Sequence, residues 1–409
     1  MSYLVVRNNK VLNGKLQVPA SKSISNRLLI IQAICKPKFD IKNLSDSEDT
    51  KVLLNALNSR DTTADIGHAG TSMRFLTAYF SSIEGNKVLT GSSRMKERPI
   101  GNLVEALKML GADIEYTEKS GYPPLLIKGK QLNGGKVSID SSVSSQFISA
   151  LLLSSPTFKN GLELQLDNKV ISSSYIDLTL NIMKYFGVIA EKKNNVINVE
   201  PQTYKPQNII VEGDWSGVSY WYQMAALSDK AEIYIESLQK GSLQGDARCA
   251  DIFKSLGIQT EYTNTGIKIF KNGSLPKRFD FNFIENPDLV QTLAVTCVML
   301  NIPFCFSGTQ SLRIKETDRI LALQNELSKF GASLKYSNDG TFEWDGLLKP
   351  VSDKRFKIST YQDHRMALAF APIALLGKEI VLENPEVVVK SYPEFWNDLK
   401  KMGFVITEL

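Results

Sequence analysis

Histidine and cysteine, the residues that most often announce metal or redox chemistry, are scarce in this 409-residue chain. The two histidines, His68 and His364, stand far apart, so no HExxH-type metal site can be assembled. The four cysteines, Cys35, Cys249, Cys297 and Cys305, lie in apolar stretches without CxxC spacing. They read as reduced, buried thiols of a cytosolic protein, with no disulfide framework. Neither GxGxxG nor GxxxxGK[ST] occurs, which removes the usual warrant for a dinucleotide or a P-loop nucleotide. No apolar run approaches the roughly 18 residues of a membrane span, and the opening MSYLVVRNNKVLNGK has no apolar core of signal-peptide length. A dominant charge is missing too: 48 basic against 43 acidic residues leave +5, spread along the chain. A nucleic-acid binder would concentrate such an excess in one stripe.

What is present is an ordinary globular composition, 43% hydrophobic and 22% charged, in a chain longer than a single core usually supports. Two domains, or one two-lobed body, follow. The dispersed cations then read as local ligands for small anions in a cleft.

Five segments repeat one pattern, an amphipathic helix end, a glycine and an apolar strand: ALKMLGADIEY, NIMKYFGVIAE, IFKSLGIQTEY, ELSKFGASLKY and DLKKMGFVITE. Glycine adopts the left-handed C-cap most cheaply, so one instance means only that a helix ends. The spacing says more. From Gly111 to Gly187, Gly257, Gly331 and Gly403 the steps are 76, 70, 74 and 72 residues, about the length of a small α/β unit. KVLLNALNSRDTTADIG is a shortened sixth copy with Asn58 in the glycine's place, only 53 residues before Gly111. Six units predict an α/β protein with three units per lobe, helices inside and sheets outside.

Several predicted helices open with small polar residues and a cation: SKSISNRLLIIQAI, HAGTSMRFLTAYF, SSVSSQFISALLL, SSSYIDLTLNIM and YQDHRMALAFAPIALL. Ser21, Ser23, Ser144 and Asp363 fit N-cap positions. Caps leave Lys22, Arg27, Arg74 and Arg365 unexplained. A cation in a first turn opposes the helix dipole at about 0.3–1 kcal/mol, and a bound phosphate or carboxylate would offset that. RMKERPIG gathers Arg94, Lys96 and Arg98 ahead of a proline, and RIKETDR places Lys315 and Arg319 on one helical face beside Glu316. Alone, such runs are usually solvated loops and surface ion pairs.

In order, VPASKSISNR, DSEDT, HAGTSMR, RMKERPIG, VSSQF, SSSYID, EGDWS, LQGDAR, NPD, RIKETDR, YQDHRMA and VVVKSYPEF resemble the motif series of the 5-enolpyruvylshikimate-3-phosphate synthases, from about residue 14 onward. The resemblance implies a two-lobed inside-out α/β barrel of three βαβαββ-type units per lobe. Residues 1–20 with 212–409 would form one lobe and 21–211 the other. It implies transfer of the enolpyruvyl group of phosphoenolpyruvate to the 5-hydroxyl of shikimate 3-phosphate through a tetrahedral intermediate, without a cofactor. It also implies a cytosolic monomer that works on neither nucleic acid nor membrane.

Carried over by position, Lys22, Ser23, Arg27, Ser144, Ser145, Gln146, Ser172, Tyr175, Asp288 and Lys315 would hold shikimate 3-phosphate. Lys22, Gly70, Arg94, Gln146, Arg319, Arg365 and Lys390 would hold phosphoenolpyruvate. Asp288 would accept the hydroxyl proton, with Glu316 and Lys22 placed to exchange protons with the intermediate. Three residues depart from the family pattern: His68 replaces an asparagine, Ser311 a carboxamide or acid, and Phe75 a frequent proline. Phe75 is expected to shift its helix turn and alter inhibition by glyphosate. A sister family that uses a UDP-sugar carries a reactive loop cysteine, which no loop-like segment here supplies. A catalytically dead anion binder on the same scaffold would not need both Asp288 and Glu316.

Overall fold

The recurring glycines end helices in the way their spacing predicts. In the computed structural model, which describes residues 1–142, 144–168 and 170–409, Gly111, Gly187, Gly257, Gly331 and Gly403 all take the left-handed backbone, with φ of 102, 80, 82, 88 and 86°. They follow the helices Gly101–Met109, Ser173–Tyr185, Cys249–Lys254, Arg319–Ser328 and Phe395–Lys401. A strand begins shortly after each. At Gly331 the close approach is as demanding as the torsion: a Cβ there would stand 2.2 Å from the Lys349 carbonyl oxygen.

The shortened first copy behaves differently. Its helix Glu48–Asn58 keeps Asn58 inside and ends at Ser59, in extended backbone with φ −74°. Asn58 therefore does not replace the glycine, because the chain leaves this helix straight rather than turning through a left-handed cap.

Six sheets form among the described residues, five of four strands and one of two. In one of the five, Thr63–Asp65 runs parallel to Gly85–Thr90, which pairs antiparallel with Leu125–Gly129, itself antiparallel to Asp113–Tyr116. The other four repeat this arrangement of one parallel and two antiparallel pairings, the βαβαββ unit. In the sixth, Ile209–Ile210 pairs parallel with Ile41–Lys42 and no hairpin follows. The missing residues of the short repeat are thus its two antiparallel strands.

The chain divides into two compact units, Met1–Ala20 with Glu212–Leu409 and Ser21–Val211. The first unit takes up the start of the chain through two strands. Val11–Gln17 lies parallel to Lys230–Glu236, and Ser2–Val6 is inserted between Glu379–Glu383 and Val405–Glu408.

Within each unit the helices are central and the sheets peripheral. Lys230–Glu236 alternates exposed and buried residues, so only one face of its sheet meets the core. Trp215–Leu227, Val290–Met299 and His364–Phe370 are buried along almost their whole length. Gly70–Ser81 and Ser145–Ser154 are nearly as enclosed in the other unit, and Lys22–Ile34 is buried over most of its length. A helix apolar on all sides belongs in a core.

Candidate active site

Three of the buried helices begin at capping residues that the sequence singles out. Ser21 caps Lys22–Ile34 by accepting from the Ile24 amide, Ser144 caps Ser145–Ser154 through the Gln146 amide, and Asp363 caps His364–Phe370 through the Arg365 amide. Ser23 is not a cap: it lies inside the first turn, where its carbonyl accepts from Arg27 Nη1 at 2.8 Å.

In the unit Met1–Ala20 with Glu212–Leu409, Arg319 is the hub. Its side chain is 2% exposed and reaches three carboxylates. Nε meets Asp363 Oδ2 at 2.7 Å, Nη1 meets Asp288 Oδ1 at 3.0 Å and Nη2 meets Glu316 Oε2 at 2.9 Å. Asp288 also pairs with Arg365 Nη2 at 2.8 Å, and Glu316 with Lys390 Nζ at 3.4 Å. Arg365 Nη1 reaches the Tyr220 hydroxyl at 3.3 Å. Burial pushes the Asp288 carboxyl up, but Arg365, Lys315 and Arg319 together outweigh it and hold the group well below the usual carboxylate range. For Arg319 burial acts downward, and Asp363, Glu316 and Asp288 raise it to permanent charge.

Lys315 and Glu316 do not share a helical face with Arg319. Asp318 caps a helix that starts only at Arg319, so both precede it, and the Glu316 pair crosses the helix start. Lys315 nonetheless acts on Asp288.

In the unit Ser21–Val211, Lys22 is the first residue of its helix and pairs with Asp49 Oδ2 at 3.1 Å. Gln146 Nε2 donates to Thr71 Oγ1 at 3.2 Å, which ties the start of Ser145–Ser154 to that of Gly70–Ser81. Ser145 is buried there as the first helical residue. Ser172 precedes Ser173–Tyr185 in left-handed backbone, φ 55°, and its carbonyl accepts from the Tyr175 amide.

Arg27 and Arg74 sit in the second turns of their helices, past the strongest part of the dipole, and each is held by internal partners. Arg27 donates to Thr179 Oγ1 at 2.8 Å, Ser149 Oγ at 3.2 Å and the Tyr175 carbonyl at 3.0 Å, and lies 5.5 Å from the centre of the Phe75 ring. Burial lowers its pKa to about 10. Arg74 donates to the Gly70 and Pro99 carbonyls and lies over Phe147. Arg94, at 39% exposure, pairs with Glu97 of its own short helix.

His68 stands 2.9 Å from Ser92 Oγ through Nδ1, a hydrogen-bonding replacement for an amide. Phe75 is buried under Arg27, and Ser311 lies half-buried in the short 3-10 turn Gln310–Ile314. Cys35 does occupy a connection, directly after Lys22–Ile34, yet it is buried with Sγ donating to the Tyr204 carbonyl at 3.3 Å, and burial raises its pKa. Cys305 is half-buried on a strand rather than enclosed.

Several residues of these clusters lie outside the sequence-derived set. Asp363 holds Arg319 as well as capping its helix, and Asp49 holds Lys22. Asp246 accepts from Ser216 Oγ at 2.5 Å and from Asn286 Nδ2 at 3.4 Å. Burial and the nearby Asp288 raise it to about 6. The only signal for Asp246 was its place in the motif LQGDAR.

Known proteins resemble this chain over nearly its whole length. The profile of the family described as EPSP synthase (3-phosphoshikimate 1-carboxyvinyltransferase) matches residues 6–63 and 57–399. A 3-phosphoshikimate 1-carboxyvinyltransferase of Bacteroides fragilis (strain YCH46) is 50% identical over 408 residues, 99% of each chain. The protein of that name from Vibrio campbellii is 36% identical over 98% of this chain and 100% of its own. The solved structure of EPSP synthase from Acinetobacter baumannii superposes over the full length of both chains with a TM-score of 0.80 at 22% identity, which carries the fold. Sequence agreement over nearly the whole length, on a fold of the same plan, makes this chain a member of the EPSP synthase family.

Proposed function

We propose that the chain is an enolpyruvyl transferase. The chain moves the enolpyruvyl group of phosphoenolpyruvate to the 5-hydroxyl of shikimate 3-phosphate and releases phosphate, a step on the route to chorismate. The observation that carries the site assignment is the Arg319 hub: a buried guanidinium, with Arg365, Lys315 and Lys390 around it, holds Asp288 and Glu316 at the start of buried helices. Two anionic substrates that must react with each other need closely spaced cations to offset their repulsion.

Lys22, Gly70, Arg94, Gln146, Arg319, Arg365 and Lys390 hold the donor. Lys22, Ser23, Arg27, Ser144, Ser145, Gln146, Ser172, Tyr175, Asp288 and Lys315 hold the acceptor. As it stands, Asp288 is a poor base, because two arginines and a lysine stabilise its charge. A donor carboxylate that engages Arg319 and Arg365 takes up part of that stabilisation. The Asp288 pKa then rises toward a value useful for accepting the hydroxyl proton. Glu316, between Arg319 and Lys390, and Lys22 exchange protons with the tetrahedral intermediate. Such a role is typically worth 10²–10⁴ in rate.

The chain acts on these small molecules as a cytosolic monomer, and light scattering is expected to give about its 45.6 kDa chain mass. The deciding assay is phosphate release from phosphoenolpyruvate with and without shikimate 3-phosphate. No release in the presence of both refutes the function. Asp288→Ala and Glu316→Gln are expected to lose turnover while still binding shikimate 3-phosphate, and near-normal turnover in either removes that residue from the mechanism.

A further inference from the structure

Among the described residues, Arg98 is a buried cation without a side-chain hydrogen-bond or ion-pair partner. Its side chain is 8% exposed, Nε has no hydrogen-bond partner, and neither Nη atom donates to a described residue. Arg7, Arg27, Arg74, Arg319 and Arg365, equally enclosed, all donate to protein groups. The Arg98 guanidinium lies across Gly70: a Cβ built there would stand 2.6 Å from Nη1 and 2.9 Å from Nη2. Gly70 opens the 12-residue helix Gly70–Ser81, and the preceding Ala69 offers no side chain to cap its first amides.

Two unfavourable arrangements therefore coincide. A charge is largely withdrawn from water, its Nε fully, with no counter-charge among the described residues, and it faces the positive end of a helix whose N–H groups lack a side-chain acceptor. No side chain among the described residues offsets either. An oxyanion at this point offsets both, receiving the amides and the guanidinium together. Gln146, on Thr71 Oγ1, adds an amide to the same place.

We propose that Arg98 pairs with an oxyanion of the enolpyruvyl donor, its phosphate or carboxylate, at the start of Gly70–Ser81, and that Gly70 is bare so that the guanidinium can lie there. This deepens the transferase reading and rests on it.

The test uses the full-length enzyme and the variants Arg98→Met and Arg98→Lys. It measures the unfolding temperature without ligand, and kcat and KM for each substrate. Arg98→Met is expected to raise KM for phosphoenolpyruvate about tenfold or more, with KM for shikimate 3-phosphate unchanged. Its ligand-free unfolding temperature should equal or exceed that of the wild type, since an unpaired buried charge has gone. Arg98→Lys should recover part of the affinity. A KM for phosphoenolpyruvate within twofold of wild type in Arg98→Met overturns the proposal. So does a fall in its ligand-free unfolding temperature, which would show that the guanidinium is held by the protein. An increase confined to KM for shikimate 3-phosphate gives the oxyanion to the acceptor and overturns the donor assignment. Wild-type enzyme that releases no phosphate refutes the transferase reading itself, a separate result.

Discussion

Replacing Arg319 by methionine tests whether the hub is an electrostatic device or merely a well-packed side chain. Methionine keeps much of the apolar bulk and removes the charge. Arg319 is 2% exposed, and Asp363, Asp288 and Glu316 are 0%, 20% and 17% exposed, so solvent can screen little of what is left. Breaking a buried pair by removing one member typically costs about 3–5 kcal/mol. In a unit of roughly 200 residues each kcal/mol lowers the unfolding temperature by about 2–4 °C, so a fall of about 6–20 °C is expected.

The pH dependence gives the sharper criterion. Burial raises Asp288, and Arg365, Lys315 and Arg319 together pull it well below its unfolded value. A depressed carboxyl contributes stability above its unfolded pKa and loses it as pH falls through the folded value. In Arg319→Met one of the three cations is gone, so Asp288 takes up a proton at higher pH than in the wild type. Protonation relieves the variant first. Calorimetry from pH 7 down to pH 2 should show a gap between the two proteins that is widest near neutrality and narrows toward acid. A gap independent of pH, or one that widens on acidification, refutes the electrostatic account.

Gly331→Ala is expected to destabilise the enzyme by about 1–3 kcal/mol, since φ is 88° and the new Cβ meets the Lys349 carbonyl oxygen at 2.2 Å. Urea unfolding checks it, and wild-type stability would mean that the loop yields without strain. Phe75→Pro removes a backbone donor from the interior of Gly70–Ser81 and the ring beneath Arg27. A loss of about 3 kcal/mol or more is expected, together with a changed inhibition constant for glyphosate in whatever folds. Equal inhibition constants sink the idea that Phe75 sets the geometry of this turn.

The architecture was legible in the sequence where a single residue type had a single physical job. Five glycines marked five left-handed helix ends, and the short step before Gly111 revealed a unit that lacks its hairpin. Ser21, Ser144 and Asp363 were legible as caps because capping is local. Partners far apart in sequence were not. Nothing in RIKETDR shows that Arg319 meets Asp363, 44 positions on, or that Asp318 would start the helix after Lys315 and Glu316. Arg94 and Arg98, four residues apart in one charged run, look alike as letters, yet one is half-exposed beside Glu97 and the other buried against Gly70. Burial separates them, and burial belongs to the fold.

The strand Ser2–Val6, paired on both sides by Glu379–Glu383 and Val405–Glu408, also bears on how the enzyme is made. On the ribosome those first residues emerge long before either neighbour exists. Their sheet cannot close until Val405–Glu408 has been made, with the whole Ser21–Val211 unit already free to fold in between. Until then Ser2–Val6 is a strand without its neighbours, open to pairing with other chains.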